Sequence, residues 1–249
     1  MKLKITKYKK SVNGKYKVYL DDGRELSLYE ETILEYGLLL KKEIVDLPSI
    51  SEYNLKWDVY YVALKSLRSR FKSIYETRKY LKEKDYPIEL IDNAINKLVE
   101  QGYLNDDSFV KGYINNQIIT TSKGPYKIKR ELIDKGIPSH IIDDNIGLFD
   151  DELQLERVDK LAKKMFKSNR TKGGSVLRKK ITNDLINIGY DSELVYKVLA
   201  KYDFNDTKEI AKKEYDKLYK KYSRKYEGEE LIYKIKQAMY QKGLNYEEE

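Results

Sequence analysis

The architecture of this chain follows from Glu131-Leu132-Ile133-Asp134-Lys135-Gly136-Ile137-Pro138. The stretch is typical of a helix end: glycine suits the left-handed position after a helix, and proline opens the next one. An apolar residue followed five positions later by another marks the same ending four times, at Leu81…Tyr86, Leu132…Ile137, Leu185…Tyr190 and Met239…Leu244. The steps between successive endings are 51, 53 and 54 residues. This near-fixed period predicts an array of repeated modules.

The repeat extends to the helices on both sides of each ending. Four residues before the endings stand Thr77, Ile128, Ile181 and Ile235, at the spacing of a buried helical face. The following helix repeats another set: Ile88, Ile91, Ile95 and Leu98, then Ser139, Ile142, Ile146 and Phe149, then Ser192, Val195, Leu199 and Tyr202. Helix-start signals separate the modules at Leu104-Asn105-Asp106, Phe149-Asp150-Asp151 and Phe204-Asn205-Asp206. Each module is therefore predicted to contain three helices.

The first 50 residues do not share this period. Apolar and polar residues alternate there as in half-buried strands, and Asn13-Gly14 and Asp22-Gly23 are hairpin signals. We predict a three-stranded meander, a helix from about Tyr29 to Tyr36, and a linker over Pro48 to Asn54. The predicted fold is mainly α, with tandem three-helix repeats in an elongated curved array behind a small N-terminal β-meander plus helix. The predicted limits are 1–50 for the leader, 51–104, 105–149 and 150–204 for three modules, and 205–249 for a truncated fourth.

Composition narrows the classes of protein to consider. The chain has no cysteine, which excludes disulfides and thiolate metal sites. It has no apolar run of the kind found in a signal peptide, and no stretch near the ~18 apolar residues of a membrane span. With 36% charged residues, we expect a soluble, cytoplasmic protein with no membrane partner.

Basic residues cluster at the junction of the first and second helices of each module. Net charge is only +8, from 49 basic and 41 acidic residues, but from Lys160 to Asn183 there are nine basic residues and no acid. The candidate binding residues are Lys65, Arg68, Arg70 and Lys72; Lys123, Lys127, Lys129 and Arg130; and Lys163, Lys164, Lys167, Arg170, Lys172, Arg178, Lys179 and Lys180. The fourth module has a similar cluster from Lys217 to Lys225.

In a stacked array these junctions would line up as a discontinuous positive ridge. Such a ridge suits an extended anionic partner, either a nucleic acid or the acidic groove of a filament. The competing interpretation is that these side chains are solvated surface lysines. The acids, by contrast, gather at helix starts such as Asp106-Asp107, Asp143-Asp144 and Asp150-Asp151, where capping explains them.

Signals for catalysis are weak. His140 is the single histidine, and Thr171-Lys172-Gly173-Gly174-Ser175 lacks both the spacing of a phosphate-binding loop and a preceding strand. A metal-dependent nuclease would need converging carboxylates, and adjacent Asp pairs at helix starts suit caps better than ligands. The 24 tyrosines could stack on bases or fill the core, and at positions such as Tyr190 and Tyr202 the periodicity favours the core. We expect no enzyme, cofactor or metal.

Several motifs, in their order and spacing, resemble the RecX family of recombinase regulators. The resemblance runs from about Trp57 to Gly243 and is carried by Ala63-Leu64-Lys65-Ser66-Leu67 with Arg68, Arg70 and Ser73-x-x-Glu76; by Gly102-Tyr103-Leu104-Asn105-Asp106 with Phe109 and Tyr113; and most clearly by Lys123-Gly124-Pro125 with Ile128, Glu131-Leu132 and Lys135-Gly136-Ile137. The third module differs, since Gly173-Gly174 lies in a longer basic junction.

The resemblance implies a non-enzymatic protein that binds the RecA filament on single-stranded DNA. Members of the family lie in the filament groove, bridge neighbouring recombinase subunits and restrain ATP hydrolysis, strand exchange and co-protease activity. On this basis we expect a monomer whose partner is the RecA filament, with weak or indirect contact to single-stranded DNA. The alternatives are an independent nucleic-acid-binding protein that uses the basic ridge, and a metal-dependent nuclease.

Overall fold

The computed structural model describes residues 2–11, 14–169, 171–204 and 207–245, and it begins with an antiparallel sheet. Strands β1 (Leu3–Lys10), β2 (Lys15–Leu20) and β3 (Glu25–Tyr29) form the predicted meander. A fourth strand, β4 (Glu43–Ile44), pairs with β1, so the order is β3-β2-β1-β4. The prediction of three strands was therefore wrong by one, because a two-residue strand is too short to show an alternating pattern.

Short helices follow the meander and cover its apolar face. Helix α1 (Glu30–Glu35) confirms the predicted helix, and α2 (Leu38–Lys41) comes directly after it. The core of this region consists of side chains from the strands and helices: Leu3, Ile5, Val18, Leu20, Leu28, Ile33, Leu38, Ile44 and Ile50. The alternation predicts seven inward residues in the strands: Leu3, Ile5, Tyr16, Val18, Leu20, Leu26 and Leu28. All of them are buried except Tyr16 and Leu26, which pack partly buried against this core.

The predicted linker over Pro48 to Asn54 is wrong, because helix α3 spans Leu47–Ser69. The Asp46 carboxylate caps its start by accepting the backbone N–H of Ser49 at 3.1 Å. Pro48 stands in the first turn, where a missing N–H costs nothing. Ile50 is buried in the core under the sheet. The predicted limit between residues 50 and 51 thus falls inside a continuous helix.

Asp58, on α3, ties the sheet to the first helices of the array. Its carboxylate accepts hydrogen bonds from Lys15 Nζ at 2.6 Å, the Tyr29 hydroxyl at 2.9 Å and the Tyr86 hydroxyl at 2.6 Å. Burial alone would raise the pKa of Asp58, but these hydrogen bonds outweigh it and hold the pKa below its ordinary value. The pKa values of Tyr29 and Tyr86 are raised, first by burial and then by the bond to Asp58.

The rest of the described chain is helical and follows the predicted module pattern. The first module contains α3, α4 (Ile74–Lys82) and α5 (Ile88–Glu100); the second α6 (Asp106–Thr120), α7 (Pro125–Asp134) and α8 (Ser139–Asn145), which continues as a 3-10 turn (Ile146–Leu148); the third α9 (Asp151–Ser168), α10 (Gly174–Asn187) and α11 (Ser192–Leu199); and the fourth α12 (Lys208–Tyr222) and α13 (Gly228–Gln241). Up to residue 245 the fourth module has no third helix.

The turns after the second helices have the predicted backbone. Gly136, Gly189 and Gly243 adopt φ of +73°, +100° and +68°, and Asp85 holds the equivalent position at +59°. The predicted helical face at Thr77, Ile128, Ile181 and Ile235 is buried. Ile88 is an exception: we predicted it on the buried face, but it is 61% exposed at the first residue of α5. Its equivalents Ser139 and Ser192 are exposed too.

Each module contacts the next one through the same two features. The start of the second helix of one module lies against the glycine turn of the following module. The Ser73 hydroxyl donates to the Lys135 carbonyl at 2.7 Å, the Gly124 N–H to the Ile188 carbonyl at 2.7 Å, and the Gly173 N–H to the Lys242 carbonyl at 2.9 Å. The repeat therefore governs the contacts between modules as well as their internal cores.

The chain forms two compact units. One comprises the residues up to Phe109 with Lys135–Pro138, and the other comprises Val110–Asp134 with the residues from Ser139 onward. The contact at Ser73 lies within the first unit, and the contacts at Gly124 and Gly173 lie within the second. These limits differ from the predicted module limits, which remain a prediction.

Candidate functional site

Four of the predicted binding cations form ion pairs with carboxylates of the same chain. Arg70 pairs with Glu76 at 3.2 Å, Lys123 with Glu131 at 2.7 Å, and Lys180 with Asp184 at 2.8 Å, and Lys129 contacts Asp143. An ion pair must be broken, at least in part, before its cation can serve a partner. These four residues are therefore weaker candidates than the sequence alone implied.

The pair of Lys123 and Glu131 is part of the framework of the second module. The Glu131 carboxylate also accepts the Tyr113 hydroxyl at 2.8 Å. Burial alone would raise the pKa of Glu131, but the bonds from Lys123 and Tyr113 outweigh burial and lower it. Lys123 is half-buried. Its role in the structure is to neutralise a partly desolvated carboxylate beside the junction of α6 and α7.

In the first module, Glu76 is a partly buried carboxylate that is held by cations of the same chain, as Glu131 is in the second. It accepts Lys135 Nζ at 2.9 Å, a guanidinium nitrogen of Arg70 at 3.2 Å and the backbone N–H of Ser73 at 3.2 Å. Ser73 in turn caps α4 by accepting the N–H of Glu76 at 3.0 Å, so the two residues form a capping box. These bonds outweigh burial and hold the pKa of Glu76 below its ordinary value.

Lys72 is a half-buried candidate whose ammonium group lies against an aromatic ring. Its Nζ lies 4.0 Å from the centre of the Tyr80 ring, a cation–π contact. Burial lowers the pKa of Lys72, and the nearby charge of Arg70 lowers it further. The ammonium group therefore has less water around it than the neighbouring surface lysines.

The other described candidates are mostly free cations. Nine are exposed and, within the ranges that the structure describes, form no ion pair: Lys65, Arg68, Lys127, Arg130, Lys163, Lys164, Lys167, Arg178 and Lys179. Lys172 is half-buried, and Arg170 lies outside the described residues. The free cations occur in the first, second and third modules, where they can meet the phosphates or carboxylates of a partner.

Of the acids predicted to cap helix starts, Asp150 caps α9 by accepting the N–H of Leu153 at 2.8 Å. Asp106, at the start of α6, instead accepts the N–H of Ile74, the first residue of α4, at 2.9 Å. Burial raises the pKa of Asp106. Asp143 is instead the partner of Lys129. Within the described residues, no group of three or more His, Asp or Glu side chains is arranged to hold a metal ion.

Arg157, on α9, is a structural residue that the sequence did not single out. Its guanidinium donates to the carbonyls of Thr121 and Ile118 at the end of α6, at 3.0 Å for Thr121. It also lies 5.4 Å from the centre of the Phe149 ring. A planar fork of donors suits this cluster of helix-end carbonyls. No signal in the sequence separates this arginine from the basic residues on the surface.

A small cavity in the first module was also missed. It measures about 290 Å³ and is lined in part by Arg68, Phe71, Lys72 and Tyr103. Arg68 and Lys72 were predicted binding residues, but the aromatic side chains beside them were not.

Among the described helices, none is long and apolar enough to cross a membrane.

Residues 60–98 match the family model described as the RecX first three-helix domain, and residues 105–144 match the RecX second three-helix domain. The chain is 31% identical to a regulatory protein RecX of Listeria monocytogenes serotype 4a, covering 99% of this chain and 94% of that protein. It is 32% identical to that of Streptococcus gordonii, covering 98% and 96%.

Solved structures give the same result. A crystal structure of a regulatory protein RecX aligns with a TM-score of 0.69 at 28% identity, covering 79% of this chain and 98% of that one. A crystal structure of RecX from Lactobacillus salivarius aligns with a TM-score of 0.55 at 26% identity, covering 59% and 95%. The mainly helical fold of three-helix modules is thus shared with these proteins.

Proposed function

Because this chain belongs to the RecX family, a family of regulatory proteins whose role is tied to RecA, we propose that it binds the RecA filament on single-stranded DNA and restrains it. It lies in the filament groove, bridges neighbouring recombinase subunits and slows ATP hydrolysis, strand exchange and co-protease activity. It does so as a cytoplasmic monomer, without catalysis of its own and with only weak contact to free DNA.

The observation that carries this proposal is the recurrence of free cations in three successive modules. Lys65 and Arg68 belong to the first module, Lys127 and Arg130 to the second, and Lys163 is one of five in the third. A free cation on an exposed helix attracts an anionic surface by about 1 kcal/mol or less at physiological salt. One such contact is weak, but several held on one chain add through effective concentration.

An extended partner matches this arrangement better than a compact one. Repeated modules present equivalent side chains at regular intervals, and a filament presents equivalent acceptors at regular intervals. The alignment of the three clusters into a ridge remains a prediction. It requires that the free cations, rather than the ion-paired ones, make the contacts.

The decisive experiment is a titration of the protein into RecA filaments on single-stranded DNA, with ATP hydrolysis as the measured rate. We expect hydrolysis to fall at or below one molecule per recombinase subunit. An unchanged rate, with filaments verified by electron microscopy, would show that this chain does not restrain the recombinase.

Charge reversal tests the role of the free cations. The variant changes Lys163, Lys164 and Lys167 to glutamate, and the matched control changes Lys208, Lys212 and Lys236. These control lysines are also exposed and lie outside the candidate set, so both variants alter the net charge equally. We expect weaker filament binding and a shallower salt dependence for the first variant only. Equal effects of the two variants would mean that net charge, and not position, controls binding.

Independent nucleic-acid binding is a second candidate, favoured by the same free cations. It predicts tight binding to free DNA, with log K falling by about 0.7 per contacted phosphate of a single strand for each unit of log salt. The regulator predicts weak binding to free DNA and a large effect on the ATPase. Measuring both quantities on one preparation separates the two functions.

A further inference from the structure

The cavity in the first module combines exposed aromatic rings with positive charge. Phe71, in the loop between α3 and α4, is 79% exposed, and Tyr103, in the turn before α6, is 58% exposed. Large apolar side chains with this much exposure lose the stabilisation that burial would give them. Two of them beside one cavity offer an apolar surface that a partner can cover.

The charged side chains that line this cavity are of one sign. Among the described residues, Arg68 and Lys72 line it and no carboxylate does. Lys65 lies one turn before Arg68 on α3, on the same side of the helix. Arg68 and Lys65 are both exposed and, within the described residues, form no ion pair. The partner that covers the rings is therefore anionic.

The remaining walls fit a flat, polar-edged group. Leu64, Leu67 and Phe109 supply apolar contact, and Asn105 and Ser108 supply exposed polar side chains. The volume of about 290 Å³ is just below the ~300–1,000 Å³ of small-molecule pockets, which leaves room for one small heterocycle.

We propose that this cavity binds one base of single-stranded DNA, stacked against Phe71 and flanked by Tyr103, while Arg68 and Lys65 contact the neighbouring phosphates. The base faces the rings and the backbone faces the cations, which is the arrangement of known single-strand binding surfaces. This inference deepens the proposed function, on which it rests for the identity of the strand, by locating its direct contact with DNA.

Aromatic stacking and positive charge together favour a nucleic acid over a protein segment. Every base has a π-face, so stacking tolerates any sequence, as a filament regulator requires. A protein segment that matched this charge would need carboxylates beside an apolar side chain. Such a segment is the other occupant that the test can detect.

The experiment compares two ligands and four variants. The ligands are fluorescent oligothymidylate and a strand of the same length made of abasic residues, which keeps the phosphates and lacks the bases. The variants are Phe71→Ala, Phe71→Trp, Arg68→Ala and the control Tyr240→Ala. The control removes a tyrosine that is 80% exposed and does not line this cavity. Binding is followed by fluorescence anisotropy across a salt series.

The wild-type protein is expected to bind oligothymidylate more tightly than the abasic strand. Phe71→Ala should weaken oligothymidylate binding about 5- to 150-fold, the range for loss of one base–aromatic stack, and leave abasic binding unchanged. Its salt slope should stay the same, because no phosphate contact is lost. Phe71→Trp and Tyr240→Ala should bind like the wild type. Arg68→Ala should instead reduce the slope by about 0.7.

Three results would overturn the base site. The wild type could bind both strands equally, or Phe71→Ala could weaken both ligands equally. Phe71→Ala could also leave DNA binding intact and abolish the effect on the recombinase ATPase, in which case the cavity takes a protein side chain. If the binding data reject the base site but the protein still slows ATP hydrolysis by the recombinase, the proposed regulation stands. If the binding data support the base site but the rate of ATP hydrolysis is unchanged, only the proposed regulation is rejected. Thermal unfolding of each variant verifies that it is folded.

Discussion

Gly124 lies against Gly189 at the contact between the second and third modules. A Cβ atom at Gly124 would overlap the carbonyl group of Gly189 and stand 2.6 Å from the Tyr190 nitrogen. Gly189 also has φ of +100°, a region that side chains disfavour. Gly173 and Gly243 meet in the same way between the third and fourth modules. Glycine at these positions is what allows the backbones of successive modules to form hydrogen bonds.

Replacing Gly124 with alanine should lower the free energy of unfolding by at least about 1–3 kcal/mol, because the new methyl group meets backbone atoms that cannot rotate away. The control is Gly112→Ala in α6, where a Cβ would have no neighbour within 4 Å. That change should be neutral or stabilise by up to ~1 kcal/mol, because alanine favours helix. Urea unfolding measures both free energies. Equal stability of Gly124→Ala and wild type would show that the modules adjust their separation freely.

Lys123 and Arg130 should respond differently to loss of charge. Lys123→Met removes one of the two side chains, Lys123 and Tyr113, that donate hydrogen bonds to the half-buried Glu131. The free energy of unfolding should therefore fall by about 1–2 kcal/mol. Arg130→Met removes a free cation and should change stability by less than ~0.5 kcal/mol while weakening filament binding. Unfolding and filament-binding assays on the two variants test this division of roles. The reverse pattern would contradict it.

Arg157→Lys should not be a conservative change. A lysine cannot reproduce the fork of donors that reaches Thr121 and Ile118, nor the planar group over Phe149. The expected loss is about 1.5–3 kcal/mol, the range for hydrogen bonds to a charged group. Differential scanning calorimetry should record a fall of about 2–4 °C per kcal/mol for a chain of this size. Arg178→Lys, at a free surface position, should leave Tm unchanged.

Asp58 should make stability depend on pH in the acidic range. Its folded pKa lies below the ordinary unfolded value of about 3.9, so the carboxylate stabilises the fold above that pH and loses this contribution as pH falls through the folded pKa. Asp58→Asn removes the titrating group. The difference in free energy of unfolding between wild type and variant should therefore be largest near neutral pH and shrink below about pH 4.

Tyr86→Phe is the companion variant for this prediction. It removes one hydrogen-bond donor to Asp58 and keeps Lys15 and Tyr29. Its pH-dependent difference from wild type should have the same sign and be smaller. A difference that is constant from pH 7 to pH 3 in both variants would show that the charge of Asp58 is not what stabilises this contact.

The sequence predicted the elements with strong local signals and missed those that depend on distant partners. The glycine turns at Gly136, Gly189 and Gly243 and the buried helical faces were readable because backbone conformation and helical period are local properties. The prediction of a linker over Pro48 to Asn54 was wrong because a proline near a helix start resembles a proline in a loop. Strand β4 was not predicted because only its pairing with β1 makes it a strand.

The candidate site was predictable in composition but not in detail. Charge clusters identified which segments are basic. They did not distinguish Lys123, which pairs with Glu131, from Arg130, which is free. Both basic residues belong to the same cluster, Lys123 just before α7 and Arg130 on it. Nor did they identify Phe71 and Tyr103, because an exposed aromatic residue and a core aromatic residue look alike in sequence.

By itself, then, the sequence determined the module: up to three helices, a left-handed turn that is glycine in all copies but the first, and a basic junction, repeated at intervals of 51 to 54 residues. These features follow from period, capping and turn chemistry, each of which acts over a few residues. Only the tertiary structure decided how modules join and which cations are free. Both depend on groups that are tens of residues apart, such as Gly124 and Gly189, and meet only when the chain is folded.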